Sequence, residues 1–358
     1  MKRKKRNPEK FDPVELFTAI GRDCGYTITA ASDIDDFVER VGRSLKSSQT
    51  NQNLLHGKRT EALFAHVAGA LGRCRLIKQE DSGNIFVDGD DIEIPDYRLI
   101  LNDGSSYLVE VKNFHSYDFK AEFTLRRDYL DKLVAYAALN GIPLRVAVYF
   151  SNPNVWALLP KEAFLLRGGK YRIDFIHALA RNDMAMLGDR TIATMPDLRI
   201  EFRGDPAECS VPDPEGKAPF TIRQIRMFCR DEEVTDERGK EIAFYLMRYG
   251  EWVETEDNAL IEEGKLVGLR FIFAPREPVD GQGFQIVGTL SAMVSSAYRE
   301  MTMRESAVVS IDVKHDPDMF SIRIPEGYKA KSLPLWQFIL QPNYEMKSAT
   351  PETEYNTL

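Results

Sequence analysis

Along residues 13–71 the apolar positions recur at three- and four-residue steps, the period of an amphipathic helix. The spacing predicts short helices over 13–23 and 33–45, the second carrying Ile34, Phe37, Val38, Val41 and Leu45. Residues 47–53 are polar and read as a link, and a third helix is predicted over 58–71. From Arg75 onward the period changes to two. Strands are predicted over 75–78, 84–87, 92–101 and 107–114, separated by Ser82-Gly83, Asp88-Gly89 and Asp103-Gly104, pairs that favour tight turns. A long helix over 123–140 would stop at Gly141, because glycine suits the left-handed position just past a helix end. Runs at 144–150 and 155–159 are again strand-like. This order of helix, strands, helix and strands predicts an α/β unit with a mixed central sheet flanked by helices.

The second half has a different pattern. Pro206, Pro212, Pro214 and Pro219 fall within residues 204–219 and mark the best linker candidate in the chain. Beyond it, Thr235 could cap a helix that runs to Tyr249 and closes at Gly250, with Ile242, Leu246 and Tyr249 on one face. Strand-like runs at 266–273, 307–313 and 320–324, with a small-residue helix near 287–300, predict a second, α+β domain. The expected division is a basic disordered arm at 1–10, a helical segment at 11–55, the α/β domain at 56–203, the linker at 204–219, an acidic α+β domain at 220–342 and a frayed polar tail at 343–358. A length of 358 residues agrees with about two domains at ~150 residues each.

Composition narrows the classes. With 43% hydrophobic and 28% charged residues, the chain is an ordinary globular protein rather than a disordered or collagen-like one. No run approaches the ~18 apolar residues of a membrane span, and the basic start leads into Phe11-Asp12-Pro13 rather than an apolar stretch. Four cysteines without a CxxC pair and five histidines without an HExxH pattern argue against a disulfide framework or a zinc site. A reducing, cytoplasmic setting is expected. The net charge of −8 is uneven. Residues 1–200 carry 29 Lys+Arg against 27 Asp+Glu, and residues 201–358 carry 18 against 28. A polyanion site is therefore expected in the first half.

Candidate chemistry sits in residues 94–112. In the strand over 107–114, period-two geometry puts Leu108, Glu110 and Lys112 on one face and Tyr107, Val109 and Val111 on the other. Where Asp96 points depends on the hairpin. A two-residue loop would pair 96 with 111 and send Asp96 to the face away from Glu110. A three-residue loop, Asn102-Asp103-Gly104 with a left-handed glycine, would pair 96 with 110 and bring the two carboxylates together. Asn-Asp-Gly fits the second.

Pro95-Asp96, a spacer, then Glu110-Val111-Lys112 across a hairpin resembles the PD-(D/E)xK nuclease superfamily, over roughly residues 56–160. The resemblance implies a restriction-endonuclease-like core in which Asp96, Glu110, the Val111 carbonyl and Glu61 from the preceding helix hold Mg²⁺, with Mn²⁺ able to substitute. It implies that Asp96, Glu110, Lys112 and Glu61 form the catalytic set, with Lys112 orienting water or stabilising the transition state. Lys132 and Tyr136, one turn apart, stand where some branches carry glutamine and tyrosine, so they and His115 are candidate accessory residues. Lys2, Arg3, Lys4, Lys5 and Arg6 could form an arm that captures nucleic acid. The implied function is phosphodiester hydrolysis by a DNA endonuclease of bacterial defence or restriction, with DNA favoured over RNA. Self-association or a regulatory protein is expected through the acidic second half. The alternative is an inactive nuclease-fold subunit that binds nucleic acid or scaffolds a complex.

Overall fold

The computed structural model describes residues 1–2, 8–82, 85–89, 91–322, 324–325 and 328–346. Arg3, Lys4, Lys5 and Arg6 of the expected arm, and residues 347–358 of the expected tail, lie outside the described residues; Lys2 is exposed. Three helices come first, α1 (Pro8–Cys24), α2 (Ala31–Thr50) and α3 (Gln52–Ala70). The polar link expected at 47–53 shrinks to Asn51, whose side chain accepts a hydrogen bond from the Leu54 amide at 3.1 Å and caps α3. Helix propagation through a polar run needs no apolar face once a neighbouring turn is formed.

The central sheet contains β1 (Cys74–Gln79), β2 (Tyr97–Leu101), β3 (Ser106–Phe114), β5 (Leu144–Phe150) and β6 (Val155–Leu159), in the order β1-β2-β3-β5-β6. Only β3 and β5 run parallel. Between them the chain forms β4 (Phe123–Arg126) and α4 (Arg127–Asn140). The expected helix over 123–140 therefore starts four residues late, because Phe123 and Leu125 are buried while Thr124 and Arg126 are exposed, a strand alternation. Gly141 closes α4 at φ +63°, as its position predicts. Residues 85–87 and 92–96, expected as strand, have no regular structure, and Asn84 lies outside the described residues. Strand β4 pairs with β8 (Lys170–Ile173), which pairs with β7 (Leu165–Arg167).

Alternation sorts the sheet's side chains into two cores. Leu99, Val109, Val111, Ala147, Trp156 and Leu158 meet Leu63, Phe64, Val67 and Ala68 of α3. Leu108, Val146, Val148, Ala157 and Leu159 meet Leu130, Leu133 and Ala137 of α4. Each fully buried leucine or phenylalanine contributes roughly 1.5–3 kcal/mol.

After α5 (Phe175–Ala180) come β9 (Thr191–Thr194), β10 (Leu198–Arg203), β11 (Gln224–Cys229), β12 (Glu232–Glu233), α6 (Glu237–Tyr249), β13 (Val253–Glu262), β14 (Lys265–Ala274), β15 (Gln285–Thr289), α7 (Leu290–Thr302), β16 (Met303–Arg304), β17 (Ala307–Val308) and β18 (Leu335–Phe338). They build sheets ordered β12-β11-β10-β14-β13 and β15-β9-β18. The proline-rich segment at 204–219 thus joins adjacent antiparallel strands, β10 and β11, within one sheet. Strands from before it pair with strands from after it. The α3-side core also continues through Ile242, Leu246, Met293, Val294, Tyr298 and Leu333, and Trp156 Nε1 donates to Ser295 Oγ of α7 at 2.9 Å. Of the expected strand over 320–324, Phe320 ends a short 3-10 helix, Ser321, Ile322 and Ile324 have no regular structure and Arg323 lies outside the described residues; that over 307–313 reduces to Ala307–Val308. The acidic strand β13, with almost no apolar alternation at its start, lies at a sheet edge.

Candidate active site

The β2–β3 turn sets the site. Leu101 N donates to Ser105 O at 2.8 Å, and Gly104, at φ +89°, donates to Leu101 O at 3.1 Å. The loop is Asn102-Asp103-Gly104, and the Asp103 carboxylate fixes it by accepting from the Ser105 amide at 2.9 Å. Tyr97 then pairs with Val109, Arg98 with Leu108 and Leu99 with Tyr107. The ladder ends at Tyr97, in the register of the three-residue loop; carried one step further, that register sets Asp96 opposite Glu110.

Both acids are buried, Asp96 at 8% exposure and Glu110 at 2%. Asp96 ends the ladder with its side chain, Oδ2 accepting from the Val111 amide at 2.7 Å. Burial, then the neighbouring Glu110 charge, pushes the Asp96 pKa up to about 7, against the pull of the Val111 N–H and Lys112. Glu110 is held from its own face. Lys112 Nζ and the Tyr129 hydroxyl both donate to Glu110 Oε1. Lys112 Nζ also donates to the Tyr129 oxygen at 3.3 Å and lies 5.1 Å from that ring's centroid. Burial and the Glu110 carboxylate raise the Tyr129 pKa, so the phenol keeps its proton.

Glu61 approaches from α3. Its main-chain carbonyl accepts from the Tyr97 hydroxyl at 3.0 Å, which ties the helix to the start of β2. Its carboxylate raises the Asp96 pKa but is paired with Lys58 at 2.6 Å. Burial opposes the Lys58 charge, yet Glu61, aided by Asp81 and Asp96, holds its pKa above the ordinary value. Among the described residues no three His, Cys, Asp or Glu side chains converge closely enough to hold a metal ion. Glu110 and Glu61 both act on the Asp96 charge, while the Glu61 carboxylate is itself paired with Lys58.

The accessory candidates are placed differently. Lys132 pairs with Asp91 at 2.7 Å, and its carbonyl receives the Glu93 amide at 3.4 Å. Tyr136 donates to Glu80 Oε1 at 2.8 Å beside Arg98 at 2.5 Å. Both contacts brace the segments that flank Asp96. His115 is exposed, with Nδ1 2.9 Å from Ser151 Oγ and its ring on the edge of Tyr117.

Tyr129 and Lys58 were not predicted. Tyr129 precedes Lys132 by three residues and Tyr136 by seven on α4, so the helical step that links the latter pair reaches it too. Lys58 stands three residues before Glu61, an acid–base spacing on one helix face.

No protein-family model matches the chain, and no curated protein matches it by sequence. Among solved structures, the Holliday junction resolvase Hjc of Archaeoglobus fulgidus is similar over 28% of this chain and 76% of its own, at 19% identity and a TM-score of 0.23.

Proposed function

We propose that the chain is a metal-dependent nuclease that hydrolyses phosphodiester bonds in DNA, with Asp96, Glu110 and Lys112 as its catalytic centre. One observation supports the reading: two buried carboxylates, Asp96 just before β2 and Glu110 on β3, lie near enough for the Glu110 charge to raise the Asp96 pKa, with the Lys112 ammonium two residues along from Glu110. Burial first and the Glu110 charge second raise the Asp96 pKa to about 7, so two bare carboxylates are costly here. A hard divalent cation meets the same need, and carboxylate and carbonyl oxygens are its preferred donors. Asp96, Glu110 and the Val111 carbonyl would hold Mg²⁺, or Mn²⁺ in its place, with Glu61 as a further donor once released from Lys58. Bound there, the cation would supply Lewis acidity toward a phosphate oxygen and an attacking water.

The chain's own groups divide the remaining work. Lys112, partly exposed at the rim, offers its ammonium to the charge that builds on the phosphate. Tyr129 positions that ammonium and the Glu110 carboxylate together. Lys58, near Asp96, adds a second positive group on the opposite side.

The pairing of Glu61 with Lys58 favours a second reading, a nuclease fold that binds DNA without cutting it. Purified protein incubated with linear, circular and single-stranded DNA and with RNA, under Mg²⁺, Mn²⁺ or EDTA, separates the two. Cleavage that needs metal and disappears in each of Asp96→Ala, Glu110→Ala and Lys112→Ala is expected. Duplex binding without cleavage would leave the second reading, and cutting retained by any of the three variants would remove the assignment.

A further inference from the structure

Helix α2 presents an apolar stripe to solvent. At about 100° per residue, Ile34, Val38, Val41 and Leu45 fall within roughly 60° of one another. Ile34 is 40% exposed, Val38 61% and Leu45 63%, and Val41 is half-buried. The helix already has a packing face elsewhere: Phe37 is buried against Phe17 of α1, with ring centroids 5.3 Å apart. A row of four aliphatic residues on a 20-residue helix is more than scattered surface apolarity.

The charges on α2 say what would cover it. Its acids, Asp33, Asp35, Asp36 and Glu39, all precede its bases, Arg40, Arg43 and Lys46. Asp36 pairs with Arg40 and Glu39 with Arg43 inside the helix. Asp35 and Lys46 are exposed, and among the described residues neither has an ion-pair partner. Both lie on the same flank of the stripe, about 20° apart in projection.

We infer that α2 is the interface of a homodimer, packed antiparallel against α2 of a second copy. Reversed about the midpoint between Val38 and Val41, Ile34 of one copy faces Leu45 of the other and Val38 faces Val41. The same operation brings Asp35 beside Lys46, twice over. A parallel arrangement would set the acidic halves against each other. The surface is therefore complementary to itself under a two-fold axis, as a closed dimer requires. The inference does not depend on the nuclease reading.

Sedimentation of the full-length chain over a range of concentrations should show a monomer–dimer equilibrium. Val38→Glu with Leu45→Glu, at exposed positions, should keep the circular dichroism spectrum and raise the dimer dissociation constant at least about 100-fold. Lys46→Asp alone should weaken the dimer about tenfold, and Asp35→Lys with Lys46→Asp should restore it. A chain that is monomeric throughout overturns the inference. So does a dimer that survives the double glutamate change, or a charge reversal that the second reversal fails to rescue.

Discussion

Asp96 and Glu110 share a site too dry for two bare charges, and the cost falls on Asp96. Its folded-state pKa of about 7 stands above the ordinary value of 3.8. Between those values the folded chain holds a proton that the unfolded chain has released, so stability falls as pH rises from about 4 to 7 and levels off above that. Asn at this position cannot ionise. In EDTA, Asp96→Asn should therefore match the parent near pH 4 and melt higher at pH 8, by an amount bounded at about 4 kcal/mol. Equal melting curves at pH 8 would show that Asp96 is not strained by its charge. Tyr129 makes a second residue-scale argument, since its hydroxyl touches both Glu110 and Lys112. Tyr129→Phe keeps the ring under the ammonium and removes the hydroxyl. It should lower kcat about tenfold, an effect of roughly 1.4 kcal/mol on the transition state, with KM little changed. An unaltered kcat would reduce Tyr129 to packing.

At the scale of elements, the hairpin was legible because turn chemistry and alternation answer the same question. Asn-Asp-Gly selects the loop, the loop selects the register, and the register decides whether Asp96 meets Glu110. The strands at 144–150 and 155–159 are legible for the same reason, being apolar but for Arg145 and bounded by Pro143, Asn152 and Pro160. What failed was local. Residues 123–126 lie directly against a helix, so their period-two burial was absorbed into its longer period; only pairing with β8 reveals the strand. Residues 47–50 have no apolar face and so carry the pattern of a link, although they extend α2. The site was less legible than the hairpin. Carboxylate positions follow from strand register, but Tyr129, and the diversion of Glu61 to Lys58, depend on rotamers and on how α3 and α4 lie across the sheet. Periodicity carries no information about either.

The two halves differ in charge, yet they share one core, and this governs how the molecule can be divided. Helix α3 turns Lys58 and Glu61 toward the hairpin and sends Arg59 the other way, where Arg59 Nε donates to Thr302 Oγ1 of α7 at 2.7 Å and the guanidinium stacks on Tyr298 at 5.5 Å. Next to it, His66 lies 3.0 Å from Asp312 and packs against Tyr298 and Phe320. Gly69 is needed for that closeness, because a methyl group there would come within 2.8 Å of Pro317. The proline-rich segment marks a composition change without marking a break in packing. Strand β10 has β11 on one side and β14 on the other, so cutting at 204–219 removes both partners. It also uncovers the face of α3 that α7 seals and leaves Arg59 without its hydroxyl partner. A fragment of residues 1–203 should therefore lack a cooperative thermal transition and bind a hydrophobic dye, even though every proposed catalytic residue lies within it. Co-expression with residues 220–358 should recover the transition if the shared core is what is missing. A soluble 1–203 fragment that melts cooperatively and cuts DNA with Mg²⁺ would show instead that the α/β half stands alone and that the acidic half is an appendage.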